Sequence, residues 1–243
     1  MELIPLDPRV TAIDLTASVP VQVARGSVMT DTDGTRQATV LVPQGTTATA
    51  VLPDGATLPL TTLSIRVTEY TLGADGPQAM PAELPPTSAY TYAMELSVDE
   101  ALAAGASEVR FSSPIPFYVE NFLGFPAGTI VPLGGYDRAH GVWVPAESGR
   151  VIEILGVTGG LADLDVDGDG VGDGGAALAE LAITDAERQQ MALLYPPGQS
   201  LWRVRIPHFS PWDCNWSIEP PPDAVPPEED PEVDENLEEP CTE

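Results

Sequence analysis

The segment SLWRVRIPHF, residues 200–209, alternates between two kinds of side chain. One face carries Trp202, Val204, Ile206 and His208, and the other face carries Arg203 and Arg205. Because successive side chains of a β-strand point to opposite faces, this order predicts a strand with one buried and one solvated face. Strands of that kind are typical of antiparallel sheets, which cover a core on one side only.

The same period of two recurs along the chain and predicts an all-β protein. The alternating sets are Val19, Val21 and Val23, then Leu63, Ile65 and Val67, then Tyr90, Tyr92, Met94 and Leu96, then Val109 and Phe111. Turn-forming sequences separate them, among them DTDGT at 31–35, VPQGT at 42–46, LPDGA at 52–56 and LGGYD at 133–137. Many short strands separated by turns favour an antiparallel β-sandwich.

Two capping-box sequences predict short helices within this β protein. Ser97 is followed three residues later by Glu100, and Thr184 is followed by Glu187. In a capping box the hydroxyl and the carboxylate each accept a hydrogen bond from a backbone N–H of the first helical turn. The second helix is expected to end before Pro196.

The organisation of the chain predicts four parts. Residues 1–16 form an N-terminal lead-in, and residues 17–158 together with 200–217 form the sandwich. Residues 159–199 form an insertion between two strands, with an aspartate loop and a helix. Residues 218–243 form a proline-rich acidic linker, which is expected to be disordered because it offers little to bury.

The charge of the chain excludes some partners. All ten basic residues are arginine, and the formal net charge is −27. Such a field repels nucleic acid and anionic lipid. No run of about 18 apolar residues is present, so no membrane span is expected. The start, MELIPLDPRV, lacks the pattern of a signal peptide, which leaves a cytosolic protein or a piece of a longer chain.

Two cysteines leave the redox compartment open. Cys214 and Cys241 form a disulfide candidate that would close a loop across the acidic linker in an oxidising compartment. In a reducing compartment they would be two unrelated thiols.

The segment DLDVDGDGVGDGG, residues 163–175, predicts a calcium site. Counted from Asp165, carboxylates stand at positions one, three, five and nine, glycine stands at six, and a backbone carbonyl is available at seven. The predicted ligands are Asp165, Asp167, Asp169, the Val171 carbonyl and Asp173, with Asp163 as an additional oxygen donor. Ca²⁺ takes six to eight oxygen ligands, which alternate aspartates around a tight turn supply. The alternative is an acidic turn that binds no specific ion.

This loop resembles the calcium repeats of thrombospondin type 3 and the loops of EF-hands and dockerins. Position twelve departs from the EF-hand pattern, because Ala176 stands where a bidentate glutamate would be. A weak site of the kind used by extracellular modules is therefore expected, with a structural role.

The tripeptide His208-Phe209-Ser210 has two interpretations. In the first, His208 continues the buried face of the strand as a core histidine, and Ser210 ends the strand. In the second, the Ser210 hydroxyl attacks the Phe209 carbonyl with help from the imidazole, and water then cleaves the resulting ester.

Four segments, VRFSSPIPFYV, VPLGGYDRAHGVWVP, GRVIEI and VRIPHFSPW, together resemble the ZU5-type β-sandwich of bacterial secreted proteins. Some animal members of this class cleave themselves between Phe and Ser of the tripeptide, which matches Phe209 and Ser210. With TDTDGTRQATVLVPQGTTATAVLPDG, the region 17–217 also resembles the part that precedes RHS/YD-repeat shells in bacterial surface and toxin-like proteins.

These resemblances imply a non-enzymatic structural or adhesion module at the cell surface or outside the cell. Its partner would be the rest of a larger polypeptide, such as a downstream repeat shell, with a surface glycan or protein as a further possibility. The sequence contains no P-loop, HExxH or GxSxG motif that would favour an enzyme. Carbohydrate binding is the other alternative, because the tryptophans at 143, 202, 212 and 216 could stack on sugar rings.

Overall fold

The computed structural model describes residues 3–72, 76–84 and 88–217 and confirms an all-β protein. The strands are β1 (Thr11–Asp14), β2 (Val21–Arg25), β3 (Met29–Thr30), β4 (Thr35–Arg36), β5 (Thr39–Pro43), β6 (Ala48–Val51), β7 (Thr57–Leu60), β8 (Thr62–Glu69), β9 (Ala93–Val98), β10 (Glu108–Glu120), β11 (Ile130–Val131), β12 (Gly134–Asp137), β13 (Val142–Pro145), β14 (Gly149–Thr158), β15 (Leu161–Asp165), β16 (Ser200–Phe209) and β17 (Pro211–Asp213). The helices are α1 (Gly76–Ala79), α2 (Asp99–Ala103), α3 (Gly175–Glu180) and α4 (Asp185–Leu194).

In the described residues, fifteen strands form two antiparallel sheets that pack face to face, and β3 pairs with β4 in a separate two-stranded sheet. One sheet has six strands in the order β1-β8-β9-β17-β12-β13. The other has nine, with β11-β14-β16-β10-β5-β2 as its main path and β15, β6 and β7 at its sides. Apolar side chains from both sheets meet in one central core, which includes Ile65, Met94, Val40, Phe117 and Trp202. This arrangement is the predicted sandwich.

Strand β16 lies in the middle of the nine-stranded sheet, paired with β10 and β14. The predicted alternation is confirmed as far as Ile206, because Trp202, Val204 and Ile206 all enter the central core. Beyond that point the pairing with β10 shifts register between Arg110 and Ile115.

The prediction that His208 continues the buried face is wrong. The register shift adds residues on the β10 side, so the next β16 side chain to enter the core is Phe209. Phe209 is 2% exposed, whereas the His208 side chain is 26% exposed. A β-bulge of this kind re-aims the side chains that follow it.

The second face of the nine-stranded sheet is covered by the segment between β15 and β16. Leu178 of α3 and Met191 of α4 pack there against Tyr118, Ile152 and Leu201. Arg203 was predicted to be solvated, but it is buried beneath α4 and pairs with Glu187. The insertion therefore gives this sheet a second apolar layer.

One of the two predicted helix caps is confirmed. Thr184 is the N-cap of α4, and its hydroxyl accepts a hydrogen bond from the Glu187 backbone N–H. The prediction for Ser97 is wrong, because Val98 is the N-cap of α2 and no side chain caps that helix. The Glu100 carboxylate instead accepts hydrogen bonds from the backbone and the hydroxyl of Ser64.

Strands of the two sheets extend into the predicted insertion and the predicted lead-in. Residues 161–165 of the insertion form β15, which pairs with β14. Residues 11–14 of the predicted lead-in form β1, which pairs with β8. The predicted linker 218–243, with Cys241, lies outside the described residues. In the part of the chain that the structure describes, no helix has the length and apolar character needed to cross a membrane.

Candidate metal centre and the His208 strand end

The aspartate loop joins the end of β15 to the start of α3. Its two ends are held together, because the Asp173 backbone N–H donates to the Leu164 carbonyl at 2.7 Å. The Asp173 carboxylate also accepts a hydrogen bond from the Val166 backbone N–H at 2.7 Å. These two hydrogen bonds between protein groups close the loop.

Three of the predicted ligands come together in this loop. Carboxylate oxygens of Asp165, Asp167 and Asp173 all lie within 4.8 Å of one another. Asp165 is buried, Asp173 is partly buried and Asp167 is exposed. Such a group can hold a metal ion through oxygen atoms alone, which suits a hard cation.

The Asp165 carboxylate organises the turn. Its Oδ1 accepts a hydrogen bond from the Gly168 N–H at 2.6 Å, and its Oδ2 accepts one from the Gly170 N–H at 2.8 Å. Both glycines have positive φ, 87° and 78°, which other residues rarely adopt. The prediction that glycine allows a tight turn at position 170 therefore agrees with the backbone.

The other predicted ligands are placed differently. Asp163 accepts a hydrogen bond from the Thr158 hydroxyl at 2.7 Å and lies 3.7 Å from the Arg188 guanidinium. Asp169 accepts a hydrogen bond from the Val171 N–H at 2.7 Å, and the Val171 side chain is exposed. The structure does not bring Asp163 or Asp169 into the group of three, so their roles as ligands stay predictions.

A neighbouring loop that the sequence did not indicate supports the aspartate loop. A Cβ on Gly128 would collide with the Asp167 carbonyl, and a Cβ on Gly168 would collide with the Ala127 carbonyl. The two backbones therefore approach each other at glycines on both sides. The Gly128 carbonyl also accepts a hydrogen bond from the Arg150 guanidinium at 3.1 Å. This contact holds the supporting loop against β14.

His208 lies near the end of β16, where it pairs with Arg110 of β10. Its Nδ1 is 3.6 Å from the Glu108 carboxylate and has no hydrogen-bond partner among the described residues. Burial lowers the pKa of the His208 imidazole below its usual value, and the attraction of Glu108 opposes that shift. The ring packs against Trp212 with centroids 4.8 Å apart, and the Trp212 indole N–H donates to the His208 carbonyl at 3.0 Å.

Ser210 lies at the corner where the chain passes from the nine-stranded to the six-stranded sheet. It is buried, and its hydroxyl lies 3.3 Å from the Pro211 carbonyl. Its own carbonyl accepts a hydrogen bond from the Leu96 N–H at 3.2 Å. Phe209 beside it packs on Phe111 with ring centroids 4.8 Å apart. The tripeptide is therefore held on both sides by packed strands.

A cleft of about 540 Å³ opens beside this corner. Its walls come from β10, β16 and the β12–β13 hairpin. They include Glu108, Arg110, Tyr136, Arg138, His208 and Ser210. His208 and Ser210 thus line the same cleft.

The remaining candidates are buried to different degrees. Cys214 is buried in the central core, and burial raises the pKa of its thiol above the usual range. Its predicted disulfide partner, Cys241, lies outside the described residues.

Trp202 and Trp212 are also buried, so neither presents a ring face to a sugar. The carbohydrate alternative therefore depends on Trp143 and Trp216, which are partly exposed.

No family model, no curated protein and no solved structure matches this chain. The resemblance to ZU5-type domains and to the region before RHS/YD-repeat shells therefore stays a prediction.

Proposed function

We propose that this chain is a non-enzymatic structural module of ZU5-like type, stabilised by calcium, within a larger bacterial surface or secreted protein. One observation carries the proposal: Asp165, Asp167 and Asp173 converge within 4.8 Å at the end of a core strand. Three carboxylates so close together repel one another, and a divalent cation offsets that repulsion. The oxygen-only group favours Ca²⁺ over metals that prefer nitrogen or sulfur ligands.

The expected affinity supports a location outside the cell or at its surface. Ala176 stands where an EF-hand has its bidentate glutamate, so the site offers fewer charged ligands than a cytosolic calcium sensor. Extracellular calcium modules work with dissociation constants of about 10⁻⁴ to 10⁻³ M. Under this proposal the ion is a permanent structural component.

Contacts beyond the loop support a structural role for the ion. The Arg188 side chain of α4 donates from Nε to the Ala162 carbonyl of β15 at 2.9 Å. The adjacent Glu187 pairs with Arg203 in the middle of the sheet. An ion that holds the end of β15 would therefore also stabilise the position of α4 in the second apolar layer.

Thermal unfolding in calcium and in chelator tests this proposal. At a calcium concentration about ten times the dissociation constant, ligand linkage adds about 1.4 kcal/mol to the free energy of unfolding. For a domain of this size that corresponds to a rise of about 3–6 °C in melting temperature. Magnesium at the same concentration should give a smaller rise, because it demands stricter octahedral geometry.

A matched pair of variants separates metal binding from turn geometry. Asp167→Asn keeps an acceptor for the Asp169 N–H but removes one charge from the site. Asp54→Asn makes the same change in a turn where Asp54 accepts a hydrogen bond from the Ala56 N–H. Only Asp167→Asn should reduce the calcium-dependent rise. Equal melting of the wild-type chain in calcium and in chelator would refute the metal proposal.

Self-cleavage is a second candidate function, supported by the presence of His208 and Ser210 in one cleft. The Ser210 Oγ would attack the Phe209 carbonyl carbon as the hydroxyl proton passes to the imidazole. The bond from that carbon to the Ser210 nitrogen breaks, the amine takes the proton, and an ester remains. Water then hydrolyses the ester, leaving a carboxylate on Phe209 and a free amine on Ser210.

Intact-mass measurement tests self-cleavage directly. Fragments ending at Phe209 and beginning at Ser210 should accumulate during incubation of the purified chain and should be missing from Ser210→Ala. A single full-length mass after prolonged incubation would contradict this function.

A further inference from the structure

The β12–β13 hairpin forms one wall of the cleft. Its Trp143 packs at the margin of a small apolar cluster, and the indole N–H donates to the Ala82 carbonyl at 3.1 Å. Residues 134–145 include none that is fully buried. The hairpin joins the six-stranded sheet through two register pairs, Gly134 with Asp213 and Gly135 with Trp212. Segments that bury little apolar surface open locally at a lower free-energy cost than core strands do.

Two carboxylates form part of this attachment. The Asp213 side chain, 8% exposed, lies directly against the hairpin backbone, since a Cβ on Gly134 would collide with its Oδ1. Glu95 of β9 lies 3.4 Å from the guanidinium of Arg138, the residue that follows β12. The hairpin therefore rests on one acidic group at its base and holds another near its turn.

The surroundings of Asp213 are mainly uncharged. The Asn215 side-chain amide donates to its Oδ2 at 3.0 Å, and the Gly134 backbone also donates to the carboxylate. The Tyr90 phenol and the Cys214 thiol interact with it electrostatically. Burial raises the pKa of Asp213 to about 6, because these hydrogen bonds do not replace the lost solvation of the charge.

Glu95 has a cation beside it and shifts in the same direction. The Tyr70 hydroxyl donates to its Oε2 at 3.0 Å, and Arg138 lies at its Oε1. Glu108 lines the small cavity that adjoins both Glu95 and Arg138. Burial raises the pKa of Glu95 despite the attraction of Arg138.

We propose that the β12–β13 hairpin is a pH-dependent flap beside the cleft, docked on the six-stranded sheet in mild acid and loosened toward neutral pH through Asp213 and Glu95. When the flap lifts, both carboxylates regain water. The docked state therefore binds protons more strongly than the open state does. Proton linkage then favours docking at low pH and weakens it as pH rises through about 6, the pKa of docked Asp213. Loosening widens access to His208 and Ser210.

Hydrogen–deuterium exchange at pH 5 and pH 7.5, in the same calcium concentration, tests the flap. After correction for intrinsic exchange, protection of amides in β12 and β13 should fall roughly tenfold between these pH values from Asp213 alone. Amides of β5, in the central core, should not follow this change. Asp213→Asn should reduce this pH dependence to the part that comes from Glu95, because the neutral amide does not titrate between these pH values.

Asp14→Asn is the matched control, because Asp14 is an exposed aspartate at the end of β1. It should show the same pH dependence as the wild-type chain. Hairpin protection that is independent of pH in the wild-type chain would overturn the proposal even if Asp213→Asn did not fold. A parallel loss of protection in β5 would overturn it as well, since global unfolding would then explain the result. Neither outcome depends on whether the aspartate loop binds calcium.

Discussion

Arg203 of β16 donates from Nε to the Glu187 carboxylate of α4 at 2.8 Å, and both side chains are less than 5% exposed. The Tyr118 hydroxyl of β10 also donates to Glu187. This buried polar group joins the insertion to the centre of the nine-stranded sheet. Burying two charges is costly unless they remain paired and hydrogen-bonded. The position of α4 over the sheet must therefore keep Glu187 within hydrogen-bond distance of Arg203.

Glu187→Gln should therefore destabilise the chain strongly. The substitution leaves the Arg203 guanidinium buried without a counter-charge, and removal of one partner of such a pair costs about 3–5 kcal/mol. Urea unfolding measures the change in free energy. Asp185→Asn on the same helix is the control, because the Asp185 side chain is 78% exposed and its pair with Arg188 contributes little. A loss below about 1 kcal/mol for Glu187→Gln would contradict the importance of the pair.

Gly128→Ala should disturb the aspartate loop without touching an aspartate. Gly128 has a φ of 82°, and a Cβ there would collide with the Asp167 carbonyl. Gly45→Ala is a closely matched control, because Gly45 has the same φ of 82° and nothing within 4 Å of its Cβ position. Gly45→Ala should cost about 1–2 kcal/mol from backbone strain alone.

Gly128→Ala should cost more than this control in urea unfolding and should also weaken calcium binding in a titration. Equal losses for the two variants, with unchanged calcium affinity, would show that the loop beside the metal group is not a support.

Alanine substitutions at the end of β16 test the β-bulge. Phe209→Ala should destabilise the sandwich by about 3–5 kcal/mol, because a large buried side chain leaves a cavity. His208→Ala should cost clearly less, since the imidazole is 26% exposed and its Nδ1 lacks a partner among the described residues. The comparison uses the free energy of unfolding from urea. The reverse order would mean that His208, and not Phe209, belongs to the core.

The pH dependence of stability should report on His208. Burial lowers the pKa of the folded imidazole below the usual value of 6.5, so the unfolded chain binds the proton more tightly. Stability should then rise with pH through the window just below 6.5 and be lost as pH falls through the folded pKa. His208→Asn should remove this component from the difference between urea midpoints at pH 5 and pH 7.5. An unchanged difference would show that the imidazole titrates alike in both states.

Local patterns predicted much of the fold. The alternation around Trp202, Val204 and Ile206 places these residues in the core, because the two-residue period of a strand is a property of the backbone itself. The cap at Thr184 also follows from neighbouring residues alone. In the aspartate loop, the spacing predicted Asp165, Asp167 and Asp173, since a tight turn with glycines brings such close residues together.

Contacts between distant segments were not predictable from the same patterns. The register shift that turns His208 out and Phe209 in depends on how β16 pairs with β10, about ninety residues earlier. Glu100 resembles a capping residue, but Ser64 of the neighbouring strand binds it instead. Asp163 likewise contacts Thr158 and Arg188 and is not part of the group of three aspartates.

The sequence by itself determined the strand periodicity, the acidic turn and the start of α4, because these depend on residues within one or two turns of chain. Tertiary structure alone decided the bulge at His208, the support of Asp167 by Gly128 and the burial of Arg203 beneath Glu187. The physical reason is that the local sequence leaves each of these residues several possible contacts of similar free energy. The close packing of the two sheets permits only one of those contacts.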